Sequence, residues 1–263
     1  MACAPFQSKV AQRIYLFDKK SRKPYCDRTY ATVCSRFTLR TSSCIFPYLS
    51  PTIPPMTNGY LISFEGGEGA GKTVQIKRLR DKLTENGFDV LVVREPGGTV
   101  ISEQIREILL SAKNVGIAYT TEVLLFQSAR AQVYRELVLP SLEAKKIVLM
   151  DRTRDSSVVY QGMVRGFGVD VIEELNNIST RETYPDLTFL LDVPVEIGLA
   201  RRAQTDKMDR LDMEAKEFHE KVRAAYLKVA KKNDHGRWHL VDASKTIDEI
   251  FEEIWQTVSK TLL

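Results

Sequence analysis

No cysteine occurs after Cys44, so most of the chain folds without disulfides and works without thiolate chemistry. The four that exist, Cys3, Cys26, Cys34 and Cys44, are spaced 23, 8 and 10 apart and match no zinc pattern. A reducing compartment is the default for such a chain. Long apolar runs are also missing. The longest uncharged stretch, Thr41 to Phe64, is interrupted by Pro47, Pro51, Pro54 and Pro55, which no bilayer helix tolerates well. No apolar run of about 7–15 residues follows the basic N-terminus, which excludes a secretory signal.

Acidic residues are scarce only at one end. Residues 1–55 hold nine Lys/Arg, two Asp and no Glu, a net +7, while residues 56–263 hold 29 basic and 32 acidic residues, a net −3. The overall +4 therefore describes neither part. With 43% hydrophobic and 27% charged residues, the chain as a whole is neither collagen-like, disordered nor disulfide-dense. Its 263 residues suit one large domain or two small ones. Three readings of the basic leader 1–55 stay open: an organellar transit peptide, a tail that touches nucleic acid or anionic surfaces, or an extension ahead of a true start at Met56. The −3 body lends nucleic-acid binding no support.

From residue 56 onward, short apolar runs alternate with stretches of helical period. Strands are expected at Tyr60–Phe64, Val90–Val93, Ile147–Met150, Leu187–Leu191 and Trp238–Val241, each apolar enough to be covered on both faces. Ile76, Leu79 and Leu83 repeat at helical spacing, and Gly87 stands where a glycine would end that helix. Thr246 and Glu249 form a capping-box signature ahead of a stripe of Ile247, Ile250, Phe251, Ile254 and Val258. Strand–helix alternation of this kind predicts an α/β domain with a parallel sheet and right-handed crossovers.

Directly after the first strand comes Gly66-Gly67-Glu68-Gly69-Ala70-Gly71-Lys72-Thr73, then a helix. This is G-x-x-x-x-G-K-[ST] in the strand–loop–helix context that the pattern requires. Glycines let backbone N–H groups approach phosphate oxygens with no Cβ in the way, and the helix N-terminus adds partial positive charge. Lys72 can neutralise the β- and γ-phosphates, and the Thr73 hydroxyl can ligate Mg²⁺. The third strand runs into Asp151-Arg152 at its carboxyl end, where open parallel sheets bind ligands. Asp151 is placed to hold Mg²⁺, and Arg152 to bridge two phosphoryl groups with its forked donors. Ser156, Ser157, Tyr160 and Gln161 follow within two helical turns. Phe126 and Arg130, four apart, suit a flat heterocycle by stacking and hydrogen bonding, or equally a core Phe beside a solvated Arg.

Five segments in order, EGGEGAGKT (65–73), REPGGT (94–99), FxxxR (126–130), DRxxxSSxxYQG (151–162) and PDLTFLLDV (185–193), resemble the thymidylate kinase family of P-loop nucleoside monophosphate kinases. The resemblance runs from about Asn58 to the C-terminus. It implies a three-layer P-loop NTPase fold with a five-stranded parallel sheet and a helical lid, and phosphorylation of dTMP to dTDP by ATP with Mg²⁺. Residues 66–73 would cradle ATP, with Thr73 and Asp151 holding the metal. Phe126 would stack on thymine, Arg130 would bond its carbonyl oxygen, and Ser157 and Gln161 would lie at the base. Tyr160 would lie against the deoxyribose, Glu68 near the sugar and phosphate, and Arg152 on the acceptor phosphate, with Arg94 and Arg106 contributing.

Members of the family carry a catalytic arginine either in the phosphate loop or in the lid. Gly69 occupies the loop position, so the lid, about residues 198–212, is expected to supply the charge. The usual lid position falls on Thr205; among the neighbours Arg201, Arg202 and Lys207, Arg202 is the candidate. Val74 also replaces a hydroxyl residue often found there. Lys72, Asp151, Arg152 and Arg202 are thus the expected catalytic set of a domain spanning 56–263. The resemblance further implies a homodimer without nucleic-acid or membrane partners. The expected location is the cytoplasm, or an organelle if 1–55 is a transit peptide. Other pyrimidine monophosphates as substrates, or a nucleotide-binding switch without kinase activity, are the competing readings. N-terminal sequencing of the native protein separates the readings of the leader: a mature start near residue 56 excludes the functional tail.

Overall fold

The five apolar runs become five strands, each extending one residue beyond its expected end: β1 Tyr60–Glu65, β2 Val90–Arg94, β3 Ile147–Asp151, β4 Leu187–Asp192 and β5 Trp238–Asp242. The computed structural model describes residues 58–204, 209–233 and 236–263. The leader 1–55 and the lid positions Thr205 and Lys207 lie outside the described residues. The sheet is entirely parallel, in the order β2-β3-β1-β4-β5. β1 is central, with Phe64 in register with Asp151 of β3 and with Phe189 of β4. Its carboxyl end, where the glycine-rich loop begins, is therefore flanked by the carboxyl ends of two neighbours.

Helices are α1 Lys72–Glu85, α2 Val100–Leu110, α3 Tyr119–Val133, α4 Leu139–Glu143, α5 Arg154–Ser157, α6 Val169–Thr180, α7 Val195–Ala203, α8 Lys216–Lys232 and α9 Ile247–Leu262. Two π-helical stretches, Tyr134–Val138 and Val158–Val164, continue α3 and α5. Three layers result. On one face Ile62, Phe64, Leu149, Phe189 and Leu191 pack against Ile76, Leu79 and Leu83 of α1 and Ile250, Phe251, Ile254 and Val258 of α9. On the other, Leu61, Val148 and Met150 meet Val133, Tyr134 and Val138, while Leu190 meets Val159, Val222 and Tyr226. Two-residue alternation along β1 sends Leu61, Ser63 and Glu65 to this second face.

Local signals explain the helix ends. The N–H of Phe88 donates to the Leu83 carbonyl (3.1 Å) and that of Gly87 to Thr84 (2.9 Å), with Gly87 at φ 84°, a Schellman ending that the glycine makes cheap. Both halves of the Thr246–Glu249 capping box are formed. Two expectations need correction. β2 and β5 are edge strands and are not covered on both faces, so Val92 and Leu240 are 40% and 55% exposed. Ile247 leaves the apolar stripe of α9 because it opens into a cavity at the carboxyl end of the sheet.

Candidate active site

That cavity, about 600 Å³, is lined by the loop residues Glu68–Thr73, by Asp151 and Arg152 at the end of β3, and by Arg94, Phe126, Ser156 and Tyr160. Arg106, Arg201, Arg202, Asp209, Lys245 and Ile247 also line it. Its size is that of an ordinary ligand pocket. The Lys72 ammonium donates to the carbonyls of Gly66 (3.1 Å) and Gly67 (2.9 Å), which folds the loop around its own cation. Burial and the neighbouring Arg152 charge lower its proton affinity. Thr73 Oγ1 donates to Asp151 Oδ2 at 2.9 Å, so the two oxygens expected to share a metal already meet.

Gly69 is held in the left-handed region at φ 65°, and a Cβ there would stand 2.0 Å from the Gly198 carbonyl oxygen of α7. Gly198 answers in kind: its Cβ would lie 2.4 Å from the Glu68 carbonyl. This backbone contact between the phosphate loop and α7 leaves no room for an arginine in the loop. Positive charge enters instead from the end of α7. Arg202 lines the cavity and grips Asp212 through Nε (2.9 Å) and Nη2 (2.6 Å), while Arg201 donates to the Ala243 carbonyl (3.1 Å).

Arg152, at φ 68°, turns back over the loop. Its Nη2 meets Glu68 Oε1 at 2.5 Å, and Nη1 reaches the Gly66 carbonyl (3.0 Å) and the Tyr226 hydroxyl (3.1 Å). The Tyr160 hydroxyl donates to the same Glu68 oxygen at 3.0 Å. Burial would raise the Glu68 carboxyl, but the charges of Arg152 and Lys72 outweigh it and hold the group at about 2. Glu68 is therefore an anion that organises two neighbouring groups of the cavity.

Three expected base-contacting residues are not among those lining the cavity. Arg130 is 2% exposed and donates to Glu95 (2.8 Å), Ser157 (3.0 Å), Asn176 (2.8 Å) and the Thr153 carbonyl (3.1 Å). Ser157 thus faces Arg130, and Gln161 donates to buried Glu122 (3.0 Å). The spacing explains the split: positions 156 and 160 face the cavity, whereas 157 and 161 turn one step around the helix toward α3. Arg94 reaches the cavity rim while paired with Glu103 (2.8 Å), and Arg106 donates to the Pro96 carbonyl (2.7 Å).

Several contributors carried no usable sequence signal. Glu95 of REPGGT partners Arg130, yet as part of a turn it has no pattern of its own. Tyr226 sits on α8 among Val222 and Ala225 and reads as core. Glu65 accepts from the Thr153 N–H (2.8 Å) and from the hydroxyls of Ser156 (2.6 Å) and Tyr226 (2.9 Å). Strand alternation could have placed Glu65 on the face of Leu61 and Ser63, since a carboxylate there must find donors.

The thymidylate kinase family model matches residues 64–254. A thymidylate kinase from Geobacillus sp. (strain WCH70) is 46% identical over 195 residues, covering 73% of this chain and 92% of its own length. One from Thermoanaerobacter sp. (strain X514) is 43% identical over 204 residues, covering 78% and 99%. The crystal structure of thymidylate kinase from Ehrlichia chaffeensis superposes with a TM-score of 0.63 at 32% identity, covering 76% of this chain and 98% of the other.

Buried charge gives this site a pH signature. Burial and the adjacent Asp155 carboxylate push Glu65 up to about 7, against the pull of its donors, from an ordinary 4.5. The unfolded chain then ionises first, so the folded state loses stability as pH rises between 4.5 and 7. In melting experiments from pH 5 to pH 8, the melting temperature of the wild type should fall relative to that of Glu65→Gln. A constant difference between the two proteins would refute the buried titration.

Proposed function

This chain belongs to the thymidylate kinase family and phosphorylates dTMP to dTDP, and from that premise we propose that ATP is its donor, used with Mg²⁺ in the cavity described above. One observation carries the reading: the phosphate loop and the residues Phe126, Arg152 and Tyr160 open into a single space. Donor and acceptor phosphates can then meet without crossing solvent. The kinase domain spans 56–263, with its lid at about 198–212 and the leader 1–55 outside it.

Residues 66–73 cradle the ATP phosphates, with loop N–H groups and the α1 N-terminus as donors and Lys72 as the countercharge. Thr73 and Asp151 fit Mg²⁺: both offer hard oxygens, 2.9 Å apart, and such an ion completes its shell with water and phosphate. Among the described residues no cluster of three or more His, Cys, Asp or Glu could hold a metal without the nucleotide. When bound, the ion neutralises charge on the donor phosphates. On the acceptor side, Phe126 stacks on thymine, Tyr160 lies against the deoxyribose, and Glu68 and Arg152 hold the sugar and phosphate end. Arg130, Ser157 and Gln161 stand behind this wall, where Arg130 holds the cavity residue Glu95 and bonds Ser157, and Gln161 is held by Glu122.

The acceptor phosphate is already anionic, so no strong general base is needed. Catalysis is positioning plus charge neutralisation by Lys72, Arg152 and Arg202. Arg202 supplies the lid charge by exchanging Asp212 for phosphate oxygens as the lid closes, which also keeps water from the donor. The same family premise supports a homodimer. Val100, Ile101 and Ile108 on α2, Leu124 on α3, and Val171 and Ile178 on α6 are large exposed apolar side chains on helices that pack side by side. A two-fold interface needs such a self-complementary patch. Among the described residues no helix is long and apolar enough to cross a membrane. The cytoplasm is the proposed site of action, or an organelle if the leader directs it there.

Two measurements test these assignments. Arg152→Ala should lower turnover by about 10²–10⁵ while leaving ATP affinity unchanged, and an ADP-release assay across dTMP, dUMP, UMP, CMP, AMP and GMP should favour dTMP. Wild-type-like dTDP formation by that variant would remove Arg152 from the mechanism. In sedimentation experiments the wild type should behave as a dimer and Leu124→Asp as a monomer; a monomeric wild type would exclude the dimer.

A further inference from the structure

Arg152 is a non-glycine residue held at φ 68°, and an exposed chain would abandon that conformation readily. Two bonds from one buried carboxylate oppose this. Glu65 Oε1 accepts the N–H of Thr153 (2.8 Å), the residue immediately after Arg152, and so pins the backbone of the turn. Glu65 Oε2 accepts the Tyr226 hydroxyl (2.9 Å), and the Tyr226 oxygen lies 3.1 Å from Arg152 Nη1. The polarity of that chain is dictated by its ends. A guanidinium only donates, so Tyr226 accepts from Arg152 and keeps its own hydroxyl proton to donate to Glu65.

The contacts on the two edges of the guanidinium differ in fate. Nη2 meets Glu68, which lines the cavity and lies beside any bound acceptor. Nη1 is turned inward, to the Gly66 carbonyl and to Tyr226, which is 1% exposed. An acceptor phosphate can compete with Glu68 for Nη2 without disturbing the inner edge.

We infer that Tyr226, anchored by Glu65, is a positioning residue that holds the inner edge of Arg152 so that its outer edge is aimed at the acceptor phosphate. This rests on the reading of Arg152 as the acceptor clamp. The tyrosine reaches the site from α8, 74 residues away in sequence, and its hydroxyl ties the helix that follows the lid to the end of β3. The fixed orientation matters because a misplaced catalytic group by about 1 Å can cost on the order of 10²-fold.

The test is Tyr226→Phe, which keeps the ring packed among Val222, Tyr160 and Trp238 and removes only the hydroxyl. Calorimetric titration of the full chain with dTMP, thymidine and ATP separates positioning from general damage. The expected result is a dTMP affinity lowered about tenfold, with thymidine and ATP affinities unchanged, because thymidine carries no phosphate for Arg152 to meet. In an Arg152→Ala background the Tyr226 substitution should then lower dTMP affinity no further. Glu65→Gln, whose amide oxygen can still accept from Tyr226, should show a smaller loss in dTMP affinity. Unchanged dTMP affinity in Tyr226→Phe, equal losses for dTMP and thymidine, or additive losses with Arg152→Ala would each overturn the positioning role. If Arg152→Ala binds dTMP as the wild type does, the clamp reading itself falls, and the role of Tyr226 falls with it.

Discussion

The N–H of Arg152 donates to the Phe64 carbonyl at 3.0 Å, the last rung between β1 and β3, and the site depends on that rung. It sets the start of the glycine-rich loop beside the end of β3. Thr73 can then meet Asp151, and Arg152 can reach over Gly66 to Glu68. A one-residue slip in a parallel strand exchanges its two faces. Glu65 would then point toward α1 and α9, away from Tyr226 and Ser156. Side-chain packing on both faces of β1 and β3 opposes that slip, so core packing and site geometry are enforced by the same register.

Around this rung the charge is arranged in layers. The cavity is lined by Lys72, Arg152 and Arg202, and three arginines that do not line it sit in buried ion pairs: Arg130 with Glu95 (2.8 Å), Arg210 with Glu122 (2.5 Å), and Arg237 with Asp155 (2.6 Å). Buried pairs of this kind add little net stability, yet breaking one by removing a single partner costs about 3–5 kcal/mol. Their effect is on geometry. Arg130 ties the loop after β2 to α3, α5 and α6, and Arg210 ties the segment ahead of α8 to α2 and α3. The −3 of residues 56–263 is thus an average over an acidic framework that surrounds a few concentrated cations.

Much of this was legible in the sequence where a single short segment carries the information. The strands, the phosphate loop, Asp151, Arg152, Phe126 and Tyr160 are all recognisable because each depends on local period or on adjacent residues. The orientation of Arg130, Ser157 and Gln161 was not, since a helical position indicates a face but not what packs against it. The edge positions of β2 and β5 were hidden for a similar reason: a parallel strand needs apolar residues whether one neighbour or two flank it. Glu122, Glu95 and Tyr226 are invisible in sequence because their partners lie tens of residues away, and alternation along β1 indicates the face of Glu65 but not its donors.

The sequence by itself determined the strand–loop–helix that carries the glycine-rich loop, the residues at the strand ends beside it, and the family to which they point. These are consequences of local backbone chemistry, of glycine freedom, strand alternation and helical spacing. Only the tertiary structure decided that Gly69 has no room for a side chain against Gly198, that Arg202 is held by Asp212, and that Tyr226 and Glu65 brace Arg152 from within. Each of these is a contact between segments distant along the chain, and it exists only once the sheet has brought their ends to one edge.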